Sequence, residues 1–117
     1  MSVLVCNYLA CWNERDSDAR QKLIDRYWDE RSTYVDPFVE VSGRCELNAQ
    51  IGAVQKQFPG YVFIQIGGVD AHHSLTRFQW GFGPVGEVPV IIGFDVVVAE
   101  EDGQITQVLG FLDRAPE

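Results

Sequence analysis

Hydrophobic residues recur at helical spacing through the first half of the chain. Val5, Tyr8, Leu9 and Trp12 lie at positions i, i+3, i+4 and i+7, which predicts a helix over about residues 3–14. The same periodicity predicts two more helices, one after a polar turn and one that ends at a Pro-Gly pair. Their apolar stripes are Ala19, Leu23, Ile24, Tyr27 and Trp28 in the second helix, and Leu47, Ile51, Val54 and Phe58 in the third.

The second half of the chain changes to the alternation of side chains that is typical of strands. The alternation begins at Tyr61, and the pair Gly67-Gly68 indicates a bulge or bend. Because helices come first and hairpin-connected strands follow, we predict an α+β domain in which three N-terminal helices cover a curved antiparallel sheet. The remaining extended segments are predicted at Ser32–Val35, His73–Phe82, Glu87–Ala99 and Gln104–Leu112.

Length, charge and cysteine usage narrow the class of protein. The 117 residues, 46% of them hydrophobic, predict a single domain over residues 1–117. The formal net charge of -8 argues against nucleic acid as a partner, because phosphate binding needs clustered Lys and Arg. The N-terminus resembles neither a signal peptide nor a membrane span, and three cysteines without CxxC spacing suggest no disulfide framework or zinc site. We therefore expect a cytoplasmic protein with no membrane partner and no metal.

Asp95 is the only charged residue in an apolar strand that runs from about residue 88 to residue 99. A buried carboxyl group either pairs with a donor or keeps its proton, because burial raises its pKa. A protonated carboxyl group can donate a hydrogen bond to a substrate oxygen. The alternative is a structural Asp that bonds to the backbone or to an Arg.

Tyr8 and Asp36 are further candidates for chemistry. Tyr8 lies on the apolar stripe of the first helix, where a buried phenol usually finds a hydrogen-bond partner. Asp36 follows an extended segment and precedes Pro37, so its carboxylate could point into the mouth of a cavity as a general base. A core tyrosine and an ordinary Asp-Pro turn are the structural alternatives.

The strand around Arg77 contributes the predicted binding residues. Arg77 could pair with Asp95 or bind an anionic group, or it could face water on an exposed sheet surface. His72 and His73 are adjacent, so one imidazole at most faces a cavity, and the pair is a weak metal signal. We predict that Arg77, His72, Trp80 and Trp12 contact the substrate.

Three segments resemble the nuclear transport factor 2-like superfamily, and within it the ketosteroid isomerase and SnoaL-like branches. They are the helical segment 8–13 with Tyr8 and Trp12, the strand end 34–37 with Asp36, and Asp95 eight residues before Gly103. The resemblance implies a cone-shaped fold that encloses a pocket, no cofactor, and a homodimer. It also implies that Tyr8 and Asp95 form an oxyanion hole and that Asp36 moves a proton between carbon atoms.

The chain departs from the patterns of the individual branches. The segment between Tyr8 and Asp36 is longer than in ketosteroid isomerase, and the His and Arg residues near Trp80 predict a more polar pocket than a steroid requires. SnoaL-type polyketide cyclases carry an acid on the final strand, where this chain has Gly110. The epoxide-hydrolase branch uses an Asp-Arg-Asp arrangement, for which Asp36, Arg77 and Asp95 supply the residue types.

Two functions of different classes follow. The first is cofactor-independent acid-base catalysis on a small hydrophobic or carbonyl-containing molecule, with proton transfer beside the carbonyl. The second is a non-catalytic domain that binds a small ligand or a protein partner. Under the second interpretation Tyr8, Asp95 and Arg77 would bond to one another and leave no accessible polar cavity.

Overall fold

The computed structural model describes residues 2–116 and has three helices, as predicted. Helix α1 spans Val3–Asn13, α2 spans Ser17–Tyr27 and α3 spans Arg44–Gln57. The side chains of Ser2 and Asp16 accept backbone N–H groups at the first turns of α1 and α2, which stabilises both helix starts. None of the helices within residues 2–116 is long and apolar enough to cross a membrane.

Six strands form one sheet in the order β2-β1-β6-β5-β4-β3. All neighbouring strands are antiparallel except β1 and β6, which run parallel. This parallel pair makes the sheet mixed, a feature that the predicted succession of antiparallel strands did not contain. The strands are β1 Trp28–Val35, β2 Glu40–Ser42, β3 Tyr61–His72, β4 Leu75–Pro84, β5 Ile91–Ala99 and β6 Ile105–Arg114.

Several element bounds differ from the predicted ones, and one strand was not predicted. Trp28 begins β1 instead of ending α2, because its backbone is extended and pairs with Ile105. Strand β5 begins at Ile91, because residues 87–90 form the connection from β4. The short strand β2 has no periodic signal in the sequence and is held by three antiparallel pairs to β1.

The predicted irregularity at Gly67-Gly68 is present. The pairing of β3 with β4 shifts between Ile66 and Val69, so the two glycines have no paired partners at this position. The shift places Val69 opposite Phe78, where it packs against the core. A bulge of this kind bends its strand. The three helices and the single six-stranded sheet confirm the predicted α+β fold class.

Arg20 joins the three helices at one end of the domain. It is buried, and its guanidinium donates hydrogen bonds to Asn48 and Gln55 of α3 and to the backbone oxygen of Glu14 after α1. Gly52 leaves room for this guanidinium, since a Cβ there would lie 3.0 Å from it. The contact fixes α1 relative to α3, and these two helices form one wall of the cavity described below.

Candidate active site

The inner face of the sheet, α1 and α3 enclose a cavity of about 650 Å³. This volume lies within the range of about 300–1,000 Å³ that is usual for small-molecule sites. Most lining side chains are aromatic or aliphatic. The aromatic lining residues are Tyr8, Trp12, Tyr34, Phe38, Phe58, Phe63, Trp80, Phe82 and Phe111.

Asp95 reaches this cavity because of its place in the alternation of β5. It is paired with Phe78 of β4 and Gly110 of β6, all on the face that the helices cover, and it is only 3% exposed. The hydroxyl of Tyr8 in α1 donates a hydrogen bond of 2.6 Å to Asp95 Oδ2. The structure thus brings together the two residues whose side chains were expected to form a donor pair.

The surroundings of Asp95 raise the pKa of its carboxyl group above the ordinary value for Asp. Burial raises the pKa of Asp95 to about 6, and the nearby charge of Asp36 acts in the same direction. The hydrogen bond from Tyr8 and the indole of Trp80 lower the pKa, but by less than burial raises it. At neutral pH the free protein therefore holds an ionised, buried carboxylate, and it holds a neutral carboxyl group only at pH values below about 6.

One oxygen atom of Asp95 is unpaired. Within residues 2–116, Asp95 Oδ1 makes no hydrogen bond of ordinary geometry, although it is fully buried; the indole N–H of Trp80 lies near enough to lower the pKa of Asp95 but does not form such a bond. Buried polar atoms are nearly always satisfied, and an unsatisfied one costs about 1–3 kcal/mol. Since Asp95 lines the cavity, its carboxyl group is a part of the wall where a hydrogen-bond acceptor is left unused.

Gly110 gives the Asp95 carboxyl group its space. A Cβ at Gly110 would lie 2.9 Å from Asp95 Oδ1 and 3.4 Å from the Cβ of Asp36. Any larger residue would therefore push against one carboxyl group and stand beside the other. The absence of a side chain at Gly110 leaves the two carboxyl groups close together on the same wall of the cavity.

Asp36 is held at the end of β1 by three hydrogen bonds. Its Oδ1 atom accepts the backbone N–H groups of Phe38 at 2.8 Å and Val39 at 3.0 Å, which forms the expected Asx turn at Pro37. Its Oδ2 atom accepts the hydroxyl of Tyr34 at 2.7 Å. Asp36 also lines the cavity. It therefore takes part in a turn and lies at the cavity, although the sequence offered these as alternatives.

Tyr34 is a site residue that the sequence analysis missed. Its phenol is buried, and its pKa is raised by burial first and then by the charges of Asp95 and Asp36. The pKa of Tyr8 is raised by burial and by Asp95, so both phenols stay protonated and act as donors. The available signal was the period of two along β1, which places Tyr34 and Asp36 on the same face.

Trp12 and Trp80 line the cavity, and the ring of Phe63 packs against each of them at a centroid distance of 5.3 Å. The indole N–H groups of both tryptophans are buried and have no hydrogen-bond partner within residues 2–116. Gly93 makes room for the ring of Trp80, since a Cβ at Gly93 would overlap it. The two N–H groups are further unpaired polar atoms at the cavity wall.

Arg77 and His72 lie outside the cavity, which corrects the prediction that they line it. Arg77 is opposite Val96 on the outer face of the sheet and pairs with Asp70 at 3.3 Å. It does not contact Asp95, because neighbouring residues of β4 point to opposite faces. His72 is exposed at the end of β3, and His73, also exposed, has a positive φ of 52° in the turn that follows.

The charge of the cavity wall follows from this correction. Among the described residues, the lining includes two carboxyl groups, Asp36 and Asp95, and no Lys, Arg or His. Its other polar side chains are neutral, and they include Gln50 and Gln57 of α3. The cavity is therefore acidic, and more apolar than the predicted pocket with Arg77 and His72.

Comparisons with known proteins place the chain in a family. It is 39% identical to a proposed isomerase of the SnoaL-like family from Agrobacterium tumefaciens strain C58; the match covers 95% of each chain and has a TM-score of 0.90. No family model matches the sequence, and neither does any curated protein.

More distant structures share the fold alone. An NTF2-like protein of unknown function from Exiguobacterium sp. 255-15 has a TM-score of 0.75 at 18% identity and covers 97% of this chain and 100% of its own. A proposed polyketide cyclase from Sinorhizobium meliloti has a TM-score of 0.73 at 14% identity over 94% of both chains. The resemblance seen in the sequence is confirmed, and the chain belongs to the SnoaL-like family.

Proposed function

We propose that the protein is a cofactor-independent acid-base enzyme that transfers a proton beside the carbonyl group of a small organic molecule. The observation that carries this proposal is that Asp36, Tyr8 and Asp95 line one cavity and that Asp95 Oδ1 is unpaired there. The name of the Agrobacterium protein, a proposed isomerase, agrees with such a reaction.

Each carboxyl group has a separate role in the proposed reaction. The Asp36 carboxylate accepts a proton from the carbon next to the carbonyl group, and the electron pair of the broken C–H bond moves into an enolate. Protonated Asp95 donates a hydrogen bond from Oδ1 to the enolate oxygen, while Tyr8 holds its Oδ2. Asp36 then returns the proton to carbon. Tyr8 is thus a positioning residue, in place of the second oxyanion donor that the family resemblance implied.

The pH dependence of the proposed reaction follows from Asp95. Its neutral form is the hydrogen-bond donor, and that form is lost as pH rises through about 6. For an uncharged ketone we expect the rate to fall as pH rises through this value. Replacing Asp95 by Asn, which keeps a neutral donor at every pH, would remove this fall.

A direct test is the exchange of α-protons for deuterium, followed by NMR. We would use 2-tetralone, a flat bicyclic ketone, and a small panel of other enolisable carbonyl compounds. We expect catalysed exchange with wild type, a loss of about 100-fold with Asp36→Asn, and no change with the control Asp70→Asn, whose exposed carboxylate lies on the outer face. Exchange no faster than with unfolded protein across the panel would overturn the proposal.

Non-catalytic ligand binding is the second candidate. It is supported by the pairing of the polar groups with one another, since Tyr8 bonds to Asp95 and Tyr34 bonds to Asp36. The volume of the cavity and its unpaired atoms favour a bound molecule over a filled core. Tight binding of a ligand that is recovered chemically unchanged would support this candidate.

We also propose a homodimer that forms through the outer face of the sheet. Phe111 is 52% exposed there and stacks on Phe94 of the neighbouring strand. Exposed apolar patches on a sheet often mark a protein interface. Light scattering should give twice the monomer mass for wild type and the monomer mass for Phe111→Lys.

We also propose that the protein is located in the cytoplasm. The three free cysteines, two of them exposed, support this location, because a reducing compartment keeps thiols free.

A further inference from the structure

We infer that the cavity selects a ligand with a positively charged nitrogen, an organic ammonium carried on a flat apolar group, and excludes carboxylates and phosphates. The inference deepens the proposed function and rests on it only for the location of the site. It concerns the charge of the bound molecule.

The first observation is a shortage of positive charge. Asp36 and Asp95 lie on either side of Gly110 on one wall, and none of the described lining residues is a Lys, Arg or His. The cation that the sequence offered, Arg77, lies on the other face of the sheet beside Asp70. An anionic ligand would therefore meet two carboxyl groups without any compensating charge, and like charges at short range repel strongly in a buried site.

The second observation is the unpaired Asp95 Oδ1 atom. Asp95 is 97% buried, since its exposed fraction is 3%, and only one of its two oxygen atoms is paired within the described chain. An ionised carboxylate in such a place favours a cationic donor, because an N⁺–H···O⁻ bond satisfies the oxygen and neutralises the charge together. A neutral O–H donor would satisfy the oxygen and leave the charge.

The third observation is the aromatic wall. Trp12, Tyr34, Phe63 and Trp80 line the cavity near the carboxyl groups, and their rings pack at centroid distances of 5.3 Å in three contacts. The face of an aromatic ring attracts a cation, most strongly for Trp, and the attraction grows when the site excludes water. The same rings give a flat apolar group its contact surface.

The pH dependence of ammonium binding follows from the groups that face Asp95. They are Tyr8 from α1, Tyr34 from β1, Asp36 from the turn after it and the uncharged indole of Trp80 from β4, and β6 contributes only Gly110. Both phenols stay neutral, because burial raises the pKa of each, so the pH dependence near neutrality follows from Asp95. Affinity for an ammonium should rise as pH rises through about 6, where Asp95 loses its proton. For such a substrate, the positive charge of the ammonium would stabilise the enolate in place of the hydrogen bond that neutral Asp95 donates for an uncharged ketone.

Calorimetry with three probes of nearly the same shape tests the inference. The probes are 2-naphthylmethylammonium, 2-naphthalenemethanol and 2-naphthoate, at about pH 7.5 and moderate salt, which screens the net charge of the protein. We expect the ammonium to bind about tenfold more tightly than the alcohol, and the carboxylate to bind without measurable heat. The advantage of the ammonium should shrink at about pH 5, where Asp95 is neutral.

Variants assign the effect to the cavity. Asp95→Asn and Asp36→Asn should each remove most of the ammonium advantage, and Asp70→Asn, which removes an exposed charge of the same sign, should keep it. Naphthoate that binds as tightly as the ammonium, or an advantage that survives in both cavity variants, would overturn the inference. Heat of binding is measured independently of deuterium exchange, so the two proposals can fail separately. A preference for the ammonium without catalysed exchange would contradict the proposed enzyme activity and support the ligand class. Catalysed exchange without this preference would support the activity and contradict the ligand class.

Discussion

Charged side chains have opposite environments on the two faces of the central sheet. On the outer face, Arg77 and Asp70 pair at 3.3 Å, and each side chain is about two-thirds exposed. On the inner face, Asp95 is buried beside Asp36 with no cation among the described lining residues. Water screens the outer pair, so its contribution to stability is small. The carboxyl group of Asp95 is buried and is not screened by water, so its pKa depends on folding.

The largest expected effect comes from removing the inner charge. The ordinary pKa of Asp is 3.8, and the folded protein raises it to about 6 at Asp95. Between about pH 4 and about pH 6, the folded protein keeps the Asp95 proton that the unfolded chain has released. The free energy of unfolding therefore falls as pH rises through this interval, by about 3 kcal/mol in total. Asp95→Asn should recover up to this amount above about pH 6.

Urea unfolding at about pH 7.5 and about pH 4 measures this effect. Asp95→Asn should be more stable than wild type at the higher pH, and the gain should disappear at the lower pH. The control is Asp70→Asn on the outer face, which should change stability by less than about 0.5 kcal/mol at either pH. A loss of stability with Asp95→Asn at the higher pH would mean that the inner carboxylate is compensated after all.

The second effect comes from closing the space at Gly110. The added methyl group of Gly110→Ala would lie 2.9 Å from Asp95 Oδ1 and must displace it. Overpacking of this kind costs about 1–3 kcal/mol, and we expect about 2 kcal/mol by urea unfolding together with weaker binding of the ammonium probe. Gly68→Ala is the matched control, because a Cβ at Gly68 meets nothing within 4 Å. Equal stability of the two variants would show that Asp95 can move freely.

The third effect comes from the hydrogen bond between Tyr8 and Asp95. This bond lowers the pKa of Asp95, so Tyr8→Phe should raise it above about 6, by about one unit. NMR of the carboxyl carbon follows the titration directly, with Asp95→Asn to assign the signal. Tyr27→Phe, at a half-buried tyrosine of α2, is the control and should leave the titration in place. An unchanged titration in Tyr8→Phe would contradict the bond.

The sequence predicted the inner face better than the outer one. Asp95 stood out because a lone charge in a strand that is apolar on both pleats has to be accommodated inside, and the helical stripe placed Tyr8 inside as well. Arg77 was misplaced because alternation tells which residues share a face, and β4 has bulky side chains on both faces. Only the pairing of Arg77 with Val96 and of Phe78 with Asp95 decides which face is covered.

Contacts between distant segments explain the other differences. The parallel pairing of β1 with β6 joins residues about seventy positions apart, and it turns Trp28 from the end of a helix into the start of a strand. In the sequence, Gly110 stands where SnoaL-type cyclases carry an acid, and nothing further could be predicted for it. The structure shows that it leaves room for the carboxyl groups of Asp95 and Asp36. Local periodicity contains no information about either contact.

The smallest expected effect is at Arg77. Arg77→Ala removes the guanidinium from an exposed pair on the outer face, and such pairs contribute about 0–1 kcal/mol. We expect a change of less than about 0.5 kcal/mol in urea unfolding and no change in the Asp95 titration or in affinity for the ammonium probe. A shifted Asp95 titration would show that the outer cation reaches through the sheet to the inner carboxylate, and the two faces would then share one electrostatic system.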